Sequence, residues 1–296
     1  MQSIAAFEQH FITELSHLYG ASEIKQIYAL LVEEHMEWTQ AQYILNRGSI
    51  LTEDNRSWLL SSLSDLISGK PVQYIVGHTW FMGIQFSVSG AALIPRPETE
   101  ELVDMIVNRY KTGSKPLRII DIGTGTGCIA IALKKALPQA HVYALDVSAD
   151  ALQLARQNAT DLSVEIDFIH ADILEWELIF ADNQQFDIVV SNPPYITEAE
   201  QQDMHQNVLA FEPHLALFVE GAAPLLFYDH IADFARHHLR ANGNLYVECN
   251  RNYGTAVADL FRKKGFDKAD LHRDMLGADR IVRAEFISQT ENVTNT

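Results

Sequence analysis

The stretch "RIIDIGTGTGCIAIAL", residues 118–133, constrains the fold more than any other part of the chain. An apolar run meets glycines at 123, 125 and 127, and apolar residues at helical spacing follow at once. Glycine lacks Cβ, so a strand can turn directly into a helix there and a ligand can approach the backbone closely. The rest of the C-terminal two thirds continues the pattern. Strand "AHVYALD", helix "ADALQLARQNA", strands "EIDFIH" and "FDIVV", the helical "LLFYDHIADFARHHL" and strand "NLYVEC" follow in turn. Such alternation predicts an α/β fold, a parallel sheet covered by helices on both faces. The segment "GFDKADLHRDMLGADRIVRAEF" predicts two further strands around a loop.

Upstream the pattern differs. Apolar residues recur at helical spacing in "FITELSHLYG", "IYALLVEEHM" and "WLLSSLSDLI", which predicts a small helical bundle. Short β-type runs with glycines at 77, 83 and 90, then Pro-Arg-Pro at 95–97, predict a hairpin-like connector. A chain of 296 residues suits two domains. The expected organisation is a helical bundle over 1–75, a β-hairpin linker over 76–95, a catalytic α/β domain over 96–288 and a frayed tail over 289–296.

Composition excludes several classes. No run of eighteen apolar residues is present, so no membrane span is expected. The first residues lack a basic region followed by a cleavage site, so a cytoplasmic location is expected. A net charge of −17, from 22 basic against 39 acidic residues, argues against a large basic groove and stable nucleic-acid binding. Cys128 and Cys249 have neither C-x-x-C spacing nor a disulfide framework, and are read as buried thiols. The histidines between His205 and His272 lack metal-ligand spacing, so no metal is expected.

The glycine spacing bears on the ligand. G-x-G-x-G preceded by Asp121 departs from the dinucleotide fingerprint G-x-G-x-x-G, because residue 128 is Cys. That favours S-adenosylmethionine over NAD. S-adenosylmethionine has no pyrophosphate, so the loop Gly123-Thr124-Gly125-Thr126-Gly127 must leave room for its methionine and ribose, with Asp121 placed to receive the ammonium. Asp146, ending the next strand, is placed to accept both ribose hydroxyls. Asp172, read as ending the third strand, and Ile173 after it are candidates for the adenine side.

A second motif, Asn192-Pro193-Pro194-Tyr195, follows "FDIVV". The lone pair of a planar amino nitrogen is delocalised, so its methylation depends on positioning. The Asn192 side-chain carbonyl and the Pro193 main-chain carbonyl can accept its two N–H groups and stabilise the positive charge that develops. The prolines carry no N–H to compete for those carbonyls. Tyr195 supplies a flat face for the planar substrate group. Arg96, Glu98 and Glu100 in "PRPETE" either line the substrate cleft or cap the helix that begins near Glu98.

Asp-x-Gly-x-Gly-x-Gly followed by Asn-Pro-Pro-Tyr resembles the class I S-adenosylmethionine-dependent amino-methyltransferases. "KPVQYIVGHTWFMG", "LIPRPETEELV", "FEPHLALF" and "RDMLGADRIVRAE" further resemble stretches of the release-factor glutamine methyltransferases. The likeness implies a Rossmann-like, mainly parallel seven-stranded sheet and a helical N-terminal domain that docks the protein substrate. It implies N5-methylation of the glutamine in the Gly-Gly-Gln motif of class-1 peptide chain release factors, with S-adenosylhomocysteine as second product and a monomeric enzyme. On this resemblance the Gly123–Gly127 loop, Asp146 and Asn192 bind cofactor, and Asn192–Tyr195 hold the glutamine amide. Two features depart from the family pattern: Ile173 stands where an aromatic residue is common, and "VECNRNYG" at 247–254 lacks an expected glycine. The rivals are a methyltransferase acting on an exocyclic base nitrogen, a non-catalytic scaffold that keeps the fold, and an NAD-dependent oxidoreductase.

Overall fold

The computed structural model describes residues 2–113, 115–197, 206–219 and 223–287, with the side chains of 206–208 excepted. The expected tail over 289–296 lies outside them. The chain divides into two compact units, one of Met1–His78 with His205–Phe211, the other of Thr79–Met204 with Glu212–Thr296.

The first unit holds helices α1 (Ile4–Leu15), α2 (Ala21–His35), α3 (Gln40–Asn46), α4 (Glu53–Ile67) and α5 (Val72–Val76). Their starts are written locally. Ser3 and Thr52 accept from backbone N–H groups of the first turns of α1 and α4, and Thr39 forms a reciprocal capping box with Gln42. Phe7, Phe11, Leu15, Tyr28, Leu31, Leu59, Leu63 and Leu66 recur at helical spacing and share one buried cluster. The Tyr28 hydroxyl donates to the Ile4 carbonyl at 2.8 Å, so its one polar atom is satisfied in that core.

The second unit opens at Thr79, within a hairpin of β1 (His78–Phe81) and β2 (Ile84–Ser87), followed by α6 (Pro97–Tyr110). Then come β3 (Arg118–Ile122), α7 (Cys128–Ala136), β4 (His141–Asp146), α8 (Ala149–Asp161), β5 (Asp167–His170), a 3-10 turn (Ile173–Leu178) and β6 (Phe186–Ser191). After α9 (Gln206–Phe211), which belongs to the first unit, come α10 (His214–Leu217), α11 (Leu226–His238), β7 (Leu239–Glu248), α12 (Gly254–Lys263), β8 (Lys268–Arg273) and β9 (Asp279–Phe286). The seven-stranded sheet runs β5-β4-β3-β6-β7-β9-β8, with β9 antiparallel to both neighbours and the remaining pairs parallel. Each face has its own core. Ile120, Ile122, Val189 and Leu245 pack with Ile231, Phe234, Val257 and Phe261, while Ile119, Ile188, Val190 and Tyr246 pack with Leu102, Ile106, Ile129 and Leu133. Successive residues of β3 and β6 therefore feed opposite cores, which is why these strands read as continuous apolar runs.

Two readings of strand extent are corrected. β7 begins at Leu239, well before "NLYVEC", and β5 ends at His170, which leaves Asp172 beyond the strand as the cap of the 3-10 turn. Asp172 Oδ1 accepts from Leu174 N at 2.9 Å, and that local bond competes with continued pairing. Among the described residues no helix is long and apolar enough to cross a membrane.

Candidate active site

The chain runs outward from β3 to β4 and β5, then returns to place β6 on the other side of β3. The carboxyl ends of β3 and β6 thus flank a topological switch point, where open α/β sheets form a crevice. Register does the rest. Ile122 pairs with Ser191, and Ser191 with Val247, so Gly123, Asn192 and Glu248 leave three adjacent strands at one level. A cavity of about 360 Å³ opens there, in the range of about 300–1,000 Å³ usual for small-molecule sites.

The glycine loop forms one wall. Gly123 and Gly127 have φ of +72° and +81°, where a side chain would be strained, and a Cβ on Gly127 would also meet Ala155 and Ile131 at 3.2 Å. Gly123 N and Thr124 N both donate to the Leu145 carbonyl, at 2.8 and 2.9 Å, which ties the loop to β4. Gly125 N donates to Asp146 Oδ2 and Ser148 N to Asp146 Oδ1, each at 2.9 Å. Each Asp146 oxygen keeps a further acceptor direction, and the residue lines the cavity. Burial raises the Asp146 pKa above the usual carboxylate range, against the pull of those two N–H groups.

Asp121 is placed differently from expectation. It is fully buried behind the loop and is not among the residues lining the cavity. Its Oδ2 accepts from the Thr124 hydroxyl at 2.6 Å, while Oδ1 makes no hydrogen bond among the described residues. Burial pushes its pKa up to about 7. Thr124, Thr126, Asp172 and Ile173 all line the cavity, Ile173 being a buried aliphatic contact.

Asn192, Pro193 and Pro194 form the facing wall. The Ser191 hydroxyl donates to the Ile122 carbonyl at 2.7 Å, which holds the end of β6 against β3. Asn192 Nδ2 donates to Thr99 Oγ1 at 3.2 Å, and the Thr99 hydroxyl donates to Glu248 Oε2 at 2.6 Å. Tyr195 does not line the cavity. Its ring packs against the core on the α11 side, near Glu248 and Arg280, and burial raises its phenol pKa well above the ordinary value. Two residues past Asn-Pro-Pro the chain is already bridging to Phe218: Ile196 N donates to the Leu217 carbonyl and Val219 N to the Ile196 carbonyl, which draws Tyr195 into the core.

That bridge brings "FEPHLALF" to the site, where Pro213, Leu215, Ala216 and Phe218 complete an apolar wall. Arg96 lines the cavity and donates to Glu212 Oε1 at 2.5 Å, and Glu212 Oε2 accepts from Ile94 N at 3.3 Å. Glu98 and Glu100 lie in the first turn of α6, and Glu100 accepts from Met82 N in the hairpin turn at 2.7 Å. Thr99, Glu212 and Glu248 escaped the sequence reading. Their signal is position: Glu248 follows the apolar run Leu245–Val247, Thr99 lies on the buried stripe of α6, and Glu212 lies within "FEPHLALF".

Both cysteines are buried free thiols. The residues suit S-adenosylmethionine. Open space lies over Gly123, a carboxylate with free acceptor directions stands at Asp146, and an aliphatic patch at Ile173 suits a purine face.

Comparison with known proteins agrees. A family model described as methyltransferase small domain matches residues 99–227, and another described as PrmC N-terminal domain matches residues 9–77. Among solved structures, a methyltransferase from Pyrococcus furiosus superimposes with a TM-score of 0.52 at 14% identity, covering 80% of this chain and 100% of that one. The 16S rRNA N2 G1207 methyltransferase of T. thermophilus gives 0.52 at 18% identity, over 71% of this chain and 49% of that one. At such identities these two establish the fold alone. In sequence, the release factor glutamine methyltransferase of Flavobacterium psychrophilum is 41% identical over 96% of this chain and 99% of its own length. The protein of that name from Bacteroides thetaiotaomicron is 39% identical over 91% and 95%. With that identity sustained along almost the whole length of both relatives, the chain belongs to the release factor glutamine methyltransferase family.

Proposed function

We propose that this protein transfers the methyl group of S-adenosylmethionine to N5 of the glutamine in the Gly-Gly-Gln motif of class-1 peptide chain release factors, leaving S-adenosylhomocysteine. The observation that carries this reading is the Asn192 amide, set at the end of β6 across from the glycine loop with its nitrogen turned to Thr99. Its Oδ1 is thereby free to accept one N–H of a substrate amide, and the Pro193 carbonyl takes the other.

S-adenosylmethionine, when bound, supplies an electrophilic methyl on a sulfonium. The loop Gly123–Gly127 holds its methionine end, Asp146 its ribose hydroxyls, and Asp172 with Ile173 its adenine. Asp121 braces the loop through Thr124 rather than meeting the ammonium. The two carbonyl acceptors aim the amide nitrogen and stabilise the charge it gains as it loses conjugation, so that no strong base has to act before the methyl moves, and the nitrogen, acidic once methylated, then releases one proton to solvent. Pro194 and the apolar residues at 213–218 exclude water around the amide, which strengthens both hydrogen bonds. Arg96, anchored by Glu212, faces the substrate backbone. Tyr195 packs on the core side, near Glu248 and Arg280.

The acidic balance of the chain fits a protein substrate better than a nucleic-acid one, and the reading carries a cytoplasmic, monomeric enzyme whose N-terminal helices dock the release factor. The test is direct. The protein is incubated with labelled S-adenosylmethionine, a recombinant class-1 release factor and total nucleic acid, and mass spectrometry locates the methyl. Label on the Gly-Gly-Gln glutamine supports the reading, whereas label on nucleic acid alone, or none, defeats it.

A further inference from the structure

We infer that Thr99 and Glu248 are positioning residues that set which end of the Asn192 amide faces the substrate. The inference deepens the glutamine-methylation reading and rests on it for its kinetic arm. Thr99 and Glu248 are 3% and 2% exposed.

The argument is one of donors and acceptors. An ionised carboxylate only accepts, so the single O–H of Thr99, 2.6 Å from Glu248 Oε2, is committed to it. Thr99 Oγ1 then has only lone pairs to offer, and the amide atom it meets at 3.2 Å must be Nδ2. Oδ1 is left to the cavity. Without this chain the two ends of an asparagine amide are nearly isosteric, and the flipped form would set an NH2 against the N–H groups of the substrate.

Glu248 is held where this control can be lost. Around it stand Thr99 and Glu98 of α6, Arg96 at the cap of that helix, Arg280 of β9, Tyr195 beyond β6, and Cys249 next in sequence. Tyr228 of α11 donates to the Glu248 main-chain oxygen at 3.1 Å. Burial pushes the Glu248 pKa up to about 7, against the pull of Thr99 and Arg280. The folded value lies above the ordinary one, so the proton is taken up as pH falls through about 7. A protonated Glu248 becomes a donor to Thr99, which frees the threonine proton to donate toward Asn192 and favours the flipped amide. Methyl transfer should therefore lose rate below neutrality.

Single-turnover transfer to a Gly-Gly-Gln peptide reads this out. Thr99→Val should lower the rate at about pH 8 by roughly 10- to 100-fold with little change in S-adenosylmethionine affinity, and Thr99→Ser should recover most of it. Glu248→Gln, which keeps shape and cannot titrate, should remove the pH dependence between about pH 6 and pH 8. Asp121 titrates in the same window but lies behind the loop, so a limb surviving in Glu248→Gln would belong there and would overturn the inference. Equal losses in Thr99→Val and Thr99→Ser would overturn it too, as the mark of packing alone. A second arm needs no substrate. The Asn192 side-chain amide resonance, identified by its loss in Asn192→Asp, should exchange slowly with solvent in the wild type and quickly in Thr99→Val. Equal exchange in both defeats the hydrogen-bond chain, whereas failure of the wild type to methylate any glutamine peptide defeats the functional reading and leaves this arm to decide.

Discussion

Asn192 was legible as a residue but not as an orientation. Asn-Pro-Pro-Tyr at a strand end announces an amide for positioning a planar nitrogen, yet which atom of that amide faces the cavity depends on Thr99, 93 positions away in the chain, and on Glu248. Such a dependence is set by strand register and leaves no trace in local spacing. Asn192→Ala should lower the methyl-transfer rate at least about 100-fold, equivalent to about 3 kcal/mol for a lost preorganised partner, with folding retained; stopped assays on the purified variant check this. Asp121 makes the converse point. Its place before the glycines suggests a ligand contact, but complete burial puts it behind the loop, bonded to Thr124. Its pKa is raised in the fold, so the native state holds a proton that the unfolded chain releases from about pH 4 upward. The stability lent by the neutral acid is full below the unfolded pKa and is lost as pH rises through about 7. Asp121→Asn keeps an acceptor for Thr124 and cannot ionise. Denaturant midpoints should therefore converge for the two proteins near pH 4, and the variant should lead by roughly 2–4 kcal/mol at neutral pH.

At the level of elements, period decided what could be read. Helices with apolar stripes and strands with continuous apolar runs were visible, and the glycine turn tied one of each together. The ends were less so, because Asp172 caps a turn instead of closing a strand and the bridge after Asn-Pro-Pro takes Tyr195 into the core. What joins the hairpin to the glycine loop was also invisible. Asn158, on α8, accepts from Ser87 N at 2.8 Å and donates to the Ser87 and Thr126 carbonyls at 3.1 and 2.9 Å. One buried amide thus serves three backbone groups from two separate segments. Asn158→Ala should destabilise the protein by about 2–4 kcal/mol, since buried partners left unpaired cost about 1–3 kcal/mol each and some recover water. Because Thr126 belongs to the loop, calorimetry should also show weaker S-adenosylmethionine binding. Unchanged affinity would mean that the loop holds its shape without this bond.

For the whole molecule, each unit has a core of its own, the helical one built on Phe7, Phe11 and Tyr28 and the sheet one on its two faces. A chain beginning near Val76 keeps the hairpin and every strand of the large sheet. It should bind S-adenosylmethionine normally. If the N-terminal helices dock the release factor, the truncated protein should show a much raised KM for the whole factor and a small change on a short Gly-Gly-Gln peptide, because only the former draws on remote contacts. Equal losses on both substrates would assign those helices to support instead.

The order of strands in space differs from their order in time. β9 follows β8 in the chain yet lies between β7 and β8, and Glu248 pairs with Ile281 while Arg280 stands beside it. A nascent chain that has released everything through β8 still presents the edge of β7 unpaired, and β8 has no partner to join. Parallel pairing from β5 to β7 can form early during synthesis, but the end of β7 at Glu248 acquires its neighbour only when Asp279–Phe286 pairs in. An emerging polypeptide therefore carries an open strand edge on β7 until β9 has followed β8 out, which is the interval in which it is most exposed to aggregation and in which a holding chaperone has most to gain.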